Sequence, residues 1–288
     1  MNELLLLLGY AAPVALAAVG ETVTQKSGVI NIGLEGAMLC SAFVAMLVCH
    51  ATGNPVLGVA AAMVTASVVS TLFGIFTVIL RGDQVVTGTA INLLSLGLTG
   101  TLFRALFGQS GQLISVHKLA SWNGIDLVLV TLILSLPIVT WMLNRTKWGL
   151  AIRSAGEYPN ATEAAGLSVA KLRLQALLFG GIFAGLAGSY LALGITGTFA
   201  ENMTAGRGFV AIAMVTFGRW RPTLTFAAAL LIGFAESLQF KFQSYGWKVP
   251  YQLMIALPYV VALLVLVVVG KGSTAPRALG QPYRRDNA

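Results

Sequence analysis

Apolar runs about as long as a lipid bilayer is thick constrain this chain more than any other feature. A hydrocarbon core needs roughly 20 apolar residues per helix. Runs of that order lie at 4–20, 36–51, 56–80, 85–107, 125–143, 174–194, 222–240 and 250–269. In lipid every backbone N–H and C=O must be satisfied within the chain, and a helix does this by itself. A ninth run, 208–220, is short for a crossing and predicts a short or re-entrant helix. No polar block between the runs is long enough for a separate soluble domain. The expectation is an all-α polytopic transmembrane helical bundle of about eight to ten spans, one domain over residues 1–288.

Charge decides what such a bundle meets. With 10% charged residues and 57% hydrophobic, the net +8 is too sparse to form a nucleic-acid face, so membrane lipid is the expected surroundings and nucleic acid is not an expected partner. The distribution of Lys and Arg is more telling, because cytoplasmic loops collect them. The segment 144–173 holds Arg145, Lys147, Arg153, Lys171 and Arg173, and the tail 270–288 holds Lys271, Arg277, Arg284 and Arg285. Counting spans outward puts Lys26, Arg81, Arg219 and Arg221 on that same side. Arg104, Lys118, Arg207, Lys241 and Lys248 fall elsewhere. The bias predicts 144–173 and the tail in the cytoplasm, with the N-terminus outside. Met1-Asn2-Glu3 lacks the positive start of a secretory signal, so the first run is expected to remain as a helix.

Covalent chemistry finds no foothold. Gly270-Lys271 fails the phosphate-loop pattern on both sides, and neither G-x-S-x-G nor H-E-x-x-H occurs. Two cysteines, Cys40 and Cys49, and two histidines, His50 and His117, supply neither a disulfide scaffold nor a third nearby metal ligand. The expectation is a non-enzyme without metal or cofactor, driven by energy from elsewhere.

The polar segment 144–173 is the most informative. Pro159 suits the first position of a helix, Ala161, Ala164 and Ala165 are good helix formers, and Gly166 suits a left-handed C-terminal cap. A short helix is predicted at 159–165. Its small residues leave room for another protein to approach, while Gly156 and Gly166 are expected to set the turn at each end. The alternative is a solvated turn with a helical fragment.

This loop, with the following Leu178-Phe-Gly-Gly-Ile-Phe-Ala-Gly185-Leu-Ala-Gly188, resembles the cytoplasmic loop and next helix of ATP-binding-cassette permeases. The family is the one importing branched-chain amino acids, simple sugars and nucleosides. Three further stretches match it in order: Gly28-Val-Ile-Asn31-Ile-Gly33-Leu-Glu35-Gly36, Gln84-Val-Val-Thr-Gly88-Thr-Ala-Ile-Asn92, and Gly206-Arg-Gly208-Phe209 through Gly218-Arg219. The likeness covers about residues 20–240 and is most similar to the nucleoside-type permeases. Where the loop often carries Gly-Glu-Asn-Pro, this chain has Tyr158 in place of Asn. The resemblance implies a permease subunit of an ATP-driven importer for a nucleoside or similar small polar solute. It implies separate cytoplasmic ATP-binding subunits, a second permease chain of different sequence, an extracytoplasmic solute-binding protein, and a bacterial plasma or inner membrane. The ATPase-coupling residues it implies are Gly156, Glu157, Pro159, Ala161, Ala164, Ala165 and Gly166.

Polar residues near or inside the runs are the pathway candidates: Asn31, Glu35, Asn92, Phe209 (from the third matching stretch) and Glu236. Asn31-Ile-Gly33-Leu-Glu35-Gly36 interrupts what would otherwise be a longer helix, and broken helices mark binding sites in transporters. Capping of the 36–51 run is the competing reading. Asn92 either joins helices or faces a pathway. Glu236 either snorkels to water or lines an aqueous path. Gly181, Ala184, Gly185 and Gly188 read as close helix packing. A self-sufficient secondary transporter coupled to protons or sodium is the rival class, and it would place ionisable groups near the midplane.

Overall fold

A computed structural model describes residues 2–108, 114–122, 125–244, 260 and 275–283. Ten α-helices follow one another: α1 Asn2–Lys26, α2 Leu34–Thr52, α3 Pro55–Gly74, α4 Gln84–Phe107, α5 Leu127–Arg145, α6 Lys147–Glu157, α7 Pro159–Ala164, α8 Val169–Ser189, α9 Arg207–Phe217 and α10 Pro222–Ser244. π-Helical turns extend α3 over Ile75–Ile79 and α8 over Tyr190–Thr196. Among the described residues, the strand pairing is limited to the antiparallel contact of Ser121–Trp122 with Ile125–Asp126. The predicted all-α bundle is what forms.

Short polar side chains start these helices by occupying N–H groups that the first turn cannot pair internally. Asn54 accepts from Val56 N at 2.9 Å, Asp83 from Val85 N at 2.8 Å and Val86 N at 2.9 Å, Asp126 from Leu129 N at 2.9 Å, and Thr146 from Gly149 N at 3.0 Å.

Among the described residues, six helical segments are long and apolar enough to cross a membrane, the longest being Val169–Thr196. α9 and the apolar part of α10 are shorter. The expected run at 250–269 lies outside the described residues except for residue 260. α1, α2 and α8 form the buried centre, while α3, α4 and α5 turn most of their surface outward. Close approach in that centre depends on glycine. A Cβ at Gly185 would stand 2.5 Å from Met63 Cα, and one at Gly181 would stand 2.6 Å from Ser67 Cα. Gly181 and Gly185 on α8 therefore form the seam with α3, while Gly188 meets Met38 and Ser41 of α2.

Two expectations need revision. α1 does not stop near residue 20 but runs to Lys26, burying Glu21, Thr22, Thr24 and Gln25. Each finds a partner: Thr22 Oγ1 donates to Ala18 O at 2.8 Å, Thr24 Oγ1 to Ala176 O at 3.2 Å, and Gln25 Nε2 to Glu21 Oε1 at 3.1 Å. Polar residues lower the hydropathy without breaking the helix, because neighbouring backbone satisfies them. The segment 144–173 is not mainly a loop either. Its first part is α6, whose Gly149, Ala151, Ile152, Ala155 and Gly156 are buried.

Among the described residues, one end of the bundle joins segments that carry basic residues counted as one side. Lys26 O packs against Gly156, Trp220 Nε1 donates to Gln25 Oε1 at 2.7 Å, and Ala278 N donates to Gly156 O at 2.9 Å. The 144–173 segment and the tail thus lie at the same end, as the Lys and Arg distribution required.

Candidate functional site: an elbow, a half-length helix and an exposed docking loop

Between Lys26 and Leu34 the chain leaves the helix and forms an elbow inside the bundle, where Ser27 and Asn31 are buried. Irregular backbone at that depth must be paired by protein, and three elements supply the partners. Asn31 N donates to Glu21 Oε1 at 3.0 Å, and Ile30 N donates to Gln84 Oε1 at 2.9 Å. Asn92 uses both ends of its amide: Nδ2 donates to Ile32 O at 2.9 Å, and Oδ1 accepts from Gly36 N at 2.8 Å. The Asn31 side chain donates to Ser70 Oγ at 3.3 Å. Asn92 therefore ties α4 to the elbow, which favours the helix-joining reading over a pathway-facing one.

Glu35 reaches away from the elbow to α9. Its carboxylate accepts from Gly206 N at 2.8 Å and from Gly208 N at 2.6 Å, where α9 begins. The free N–H groups and positive dipole end of a helix attract anions, and here a side chain 171 and 173 residues away fills that place. Gly206 has φ +84, a left-handed turn that glycine adopts without strain. A Cβ on Gly208 would stand 2.7 Å from Glu35 Cα, so only glycine lets the two backbones meet.

α9 has 11 residues, about 16 Å at 1.5 Å per residue, roughly half of a 30 Å core. It ends at Gly218, and Arg219 and Trp220 turn the chain at φ +51 and +54 into α10. The sequence run at 208–220 predicts a short or re-entrant helix, and α9 is short. This half-length helix is pinned at its start by Glu35 and tied beyond its end to Gln25 through Trp220.

Phe209 lies 46% exposed on α9. Glu236 does not sit at the end of its helix, because α10 continues to Ser244. Its carboxylate stands 3.7 Å from Arg207 Nε. Both line a cavity of about 200 Å³ with Tyr10, Leu191, Thr196 and Met203. At the far end of the bundle, Arg104 makes a two-pronged pair with Glu201: Nε to Oε1 at 2.8 Å and Nη2 to Oε2 at 2.6 Å. This pair fastens the descending segment before α9 to α4. Hydrogen bonding from Arg104, and its charge, hold the Glu201 carboxyl below the usual carboxylate range despite some opposing desolvation. Sequence reasoning counted Arg104 and Arg207 with the basic residues that fall elsewhere and gave Glu201 no part. Their only trace was charge beside apolar runs.

The short helix predicted at 159–165 forms with nearly those bounds. α7 begins at Pro159 and ends at Ala164, with Ala165 as its C-cap. Gly166 at φ +82 closes it: Gly166 N donates to Glu163 O at 2.9 Å and Leu167 N to Thr162 O at 3.1 Å, the paired bonds of a left-handed helix stop. Ala161, Ala164, Ala165 and Gly166 are exposed, whereas Thr162 is buried. Gly156 plays a different part from the one predicted. It belongs to the last turn of α6, and a Cβ there would collide with Lys26 O. Its smallness lets the docking loop rest on the end of α1. Glu157 is half-buried beside it.

Cys49 and His50 sit in packing roles. His50 stacks edge-on against Phe107 with ring centroids 5.5 Å apart, and Cys49 Sγ donates to His117 O at 3.4 Å.

Comparison with known proteins agrees with this anatomy. Residues 4–270 match the family model described as branched-chain amino acid transport system / permease component. The chain is similar to the guanosine ABC transporter permease protein NupQ of Bacillus subtilis, 33% identical, covering 96% of this chain and 94% of the relative. It is similar to the nucleoside ABC transporter permease protein NupC of Lactococcus lactis, 31% identical over 96% of this chain and 95% of the relative. A second Bacillus subtilis guanosine permease protein, NupP, is 26% identical over 77% of this chain and 69% of its own length. No solved structure matches. Because the family match runs through the elbow, the half-length helix and the docking loop together, the chain belongs to the permease-component family of branched-chain amino acid transport systems.

Proposed function

We propose that this chain forms one half of the translocation pathway of an ATP-driven importer of nucleosides in a bacterial cell membrane. The observation that carries the substrate is near full-length similarity to two permeases named for guanosine and nucleosides. The site chemistry agrees. The one helix start that an anionic solute would seek is occupied by the Glu35 carboxylate, which suits a neutral solute. The cavity between Arg207, Glu236, Tyr10 and Thr196 offers donors and acceptors to hydroxyl groups without demanding charge.

Its partners follow from the same reading. The chain is similar to both NupQ and NupP of one bacterium, the first at greater length and identity, which supports a second permease chain of different sequence. Separate ATPase subunits dock in the cytoplasm on α7, whose exposed alanines admit a closing cleft. A solute-binding protein delivers from the other face. Movement of α7 passes through α6 and Gly156 to the end of α1, and then through Asn31 and Glu35 to α9.

Proton or sodium coupling without an ATPase is the competing class. Its acidic groups are engaged: Glu21 accepts from Asn31 N and Gln25 Nε2, and Glu236 pairs with Arg207. The test is uptake of radiolabelled guanosine in cells with and without this chain, followed by the purified chain alone in proteoliposomes. Uptake that depends on the chain in cells and disappears in proteoliposomes is expected. Solute accumulation by the chain alone under a proton or sodium gradient would reverse the assignment.

A further inference from the structure

We infer that residues 275–283 form a strap that completes the surface on which the ATP-hydrolysing subunit docks. This rests on the docking reading of α7 and extends it to a segment far away in sequence.

Helix ends leave carbonyl groups without partners, and at this end of the bundle the strap and one arginine provide for them. Ala278 N donates to Gly156 O at 2.9 Å, in the last turn of α6, and Gly280 N donates to Gly28 O at 3.0 Å, in the elbow. Arg173, only 2% exposed, spans both: Nε donates to Ser27 O at 3.2 Å and Nη1 to Gln281 O at 2.9 Å. A buried guanidinium beside the carbonyl end of α1 is stabilised by the negative pole of that helix. The strap therefore joins α6, the elbow and α8 through main-chain bonds that do not depend on its own side chains.

Its outward face meets the docking loop. The Arg277 guanidinium carbon lies 4.9 Å from the centre of the Tyr158 ring, and Arg277 N donates to Glu157 Oε2 at 3.4 Å. Tyr158 and Arg277 are both exposed, and Tyr158 immediately precedes Pro159, where α7 begins. A partner cleft that receives Ala161 and Ala164 must pass over this stacked pair. Lys147, Lys171 and Arg277 are all exposed around the loop, so the complementary rim on the partner carries carboxylates. Arg277 is thus a positioning and contact residue in one: it orders Tyr158 from below and offers its charge outward.

The test uses the complex drawn from its native membranes through a tag on the N-terminus of this chain. The readouts are recovery of polypeptide photolabelled by 8-azido-ATP and uptake of radiolabelled guanosine. Arg277→Glu sets like charge against an acidic rim and is expected to lower recovery at least about tenfold, while Arg277→Lys keeps most of it. Ala278→Pro removes the N–H that holds Gly156 and is expected to lower uptake with membrane insertion unchanged. Ala164→Trp on α7 is the reference. If both strap variants match wild type while Ala164→Trp loses recovery and uptake, the strap proposal falls and docking on α7 stands. If Ala164→Trp also matches wild type, the docking reading itself falls.

Discussion

Replacing Glu35 by Gln isolates what holds the start of α9. Two N–H donors, on Gly206 and Gly208, point at the two carboxylate oxygens at 2.8 and 2.6 Å. A glutamine offers one acceptor oxygen and turns an NH2 group toward the second donor. Hydrogen bonds to charged groups contribute about 1.5–3 kcal/mol each, and a favourably placed anion at a partly buried helix start adds up to about 2 kcal/mol. The neutral amide is cheaper to bury than a carboxylate, which offsets part of the loss. A net local cost of about 2 kcal/mol follows, equivalent to roughly a thirtyfold shift toward the unpinned state. Hydrogen exchange on purified protein reads this directly. Amides of 204–210 should exchange about thirty times faster in Glu35→Gln, while those of α1 keep their protection. Glu35→Asp, too short to span both donors, should fall between. Unchanged exchange at 204–210 in Glu35→Gln would show that α9 is held by something other than this carboxylate.

Other perturbations probe neighbouring joints. Asn92→Leu strands Gly36 N–H and Ile32 C=O, groups that now share one amide. At about 1–3 kcal/mol each, less some gain from apolar burial, melting in detergent should fall clearly, with Asn92→Asp intermediate. Gly185→Val drives a Cβ to 2.5 Å from Met63 Cα and should cost more than the usual 1–3 kcal/mol of overpacking. Gly166→Ala meets nothing within 4 Å and should lose only about 1–2 kcal/mol of left-handed strain, so a thermal-stability comparison separates the two glycines. The Glu201 carboxyl is held below its usual range by Arg104. That contribution is full at neutral pH and is lost as pH falls through the depressed value. A fluorophore on Asn202→Cys should report release of the segment only in acid, and with Arg104→Ala the released signal should already be present at neutral pH.

The elbow, the short helix and the docking loop were legible because glycine, proline and a polar cluster interrupt apolar periodicity at each. Gly166 declared its helix stop in advance, since left-handed geometry is local. The glycine stripe on α8 also showed its purpose, although its partners on α3 and α2 are more than a hundred residues away. What hydropathy concealed was α1 beyond residue 20, where Glu21 accepts from Asn31 N and Gln25 from Trp220 Nε1. α6 was hidden for a similar reason: its Lys147, Arg153 and Glu157 read as loop, while its small buried face carries little apolar signal. The task of Glu35 was hidden because a carboxylate binding amides 171 residues away leaves no spacing to read.

The pairing of Glu35 with the start of α9 also sets an order of assembly. α2 leaves the ribosome first, carrying an acidic side chain whose ligands have not yet been made. A charge within the bilayer is costly, about 2.5–3.5 kcal/mol for an aspartate at a helix centre on insertion scales. α9, at 11 residues, is too short to be recognised as a membrane segment alone. α9 is therefore a poor client of the insertion machinery by itself, whereas α2 is long and apolar enough to insert and lacks only partners for Glu35. Residues 36–205 are therefore synthesised while the carboxylate lacks these partners, and the late arrival of Gly206 and Gly208 supplies them.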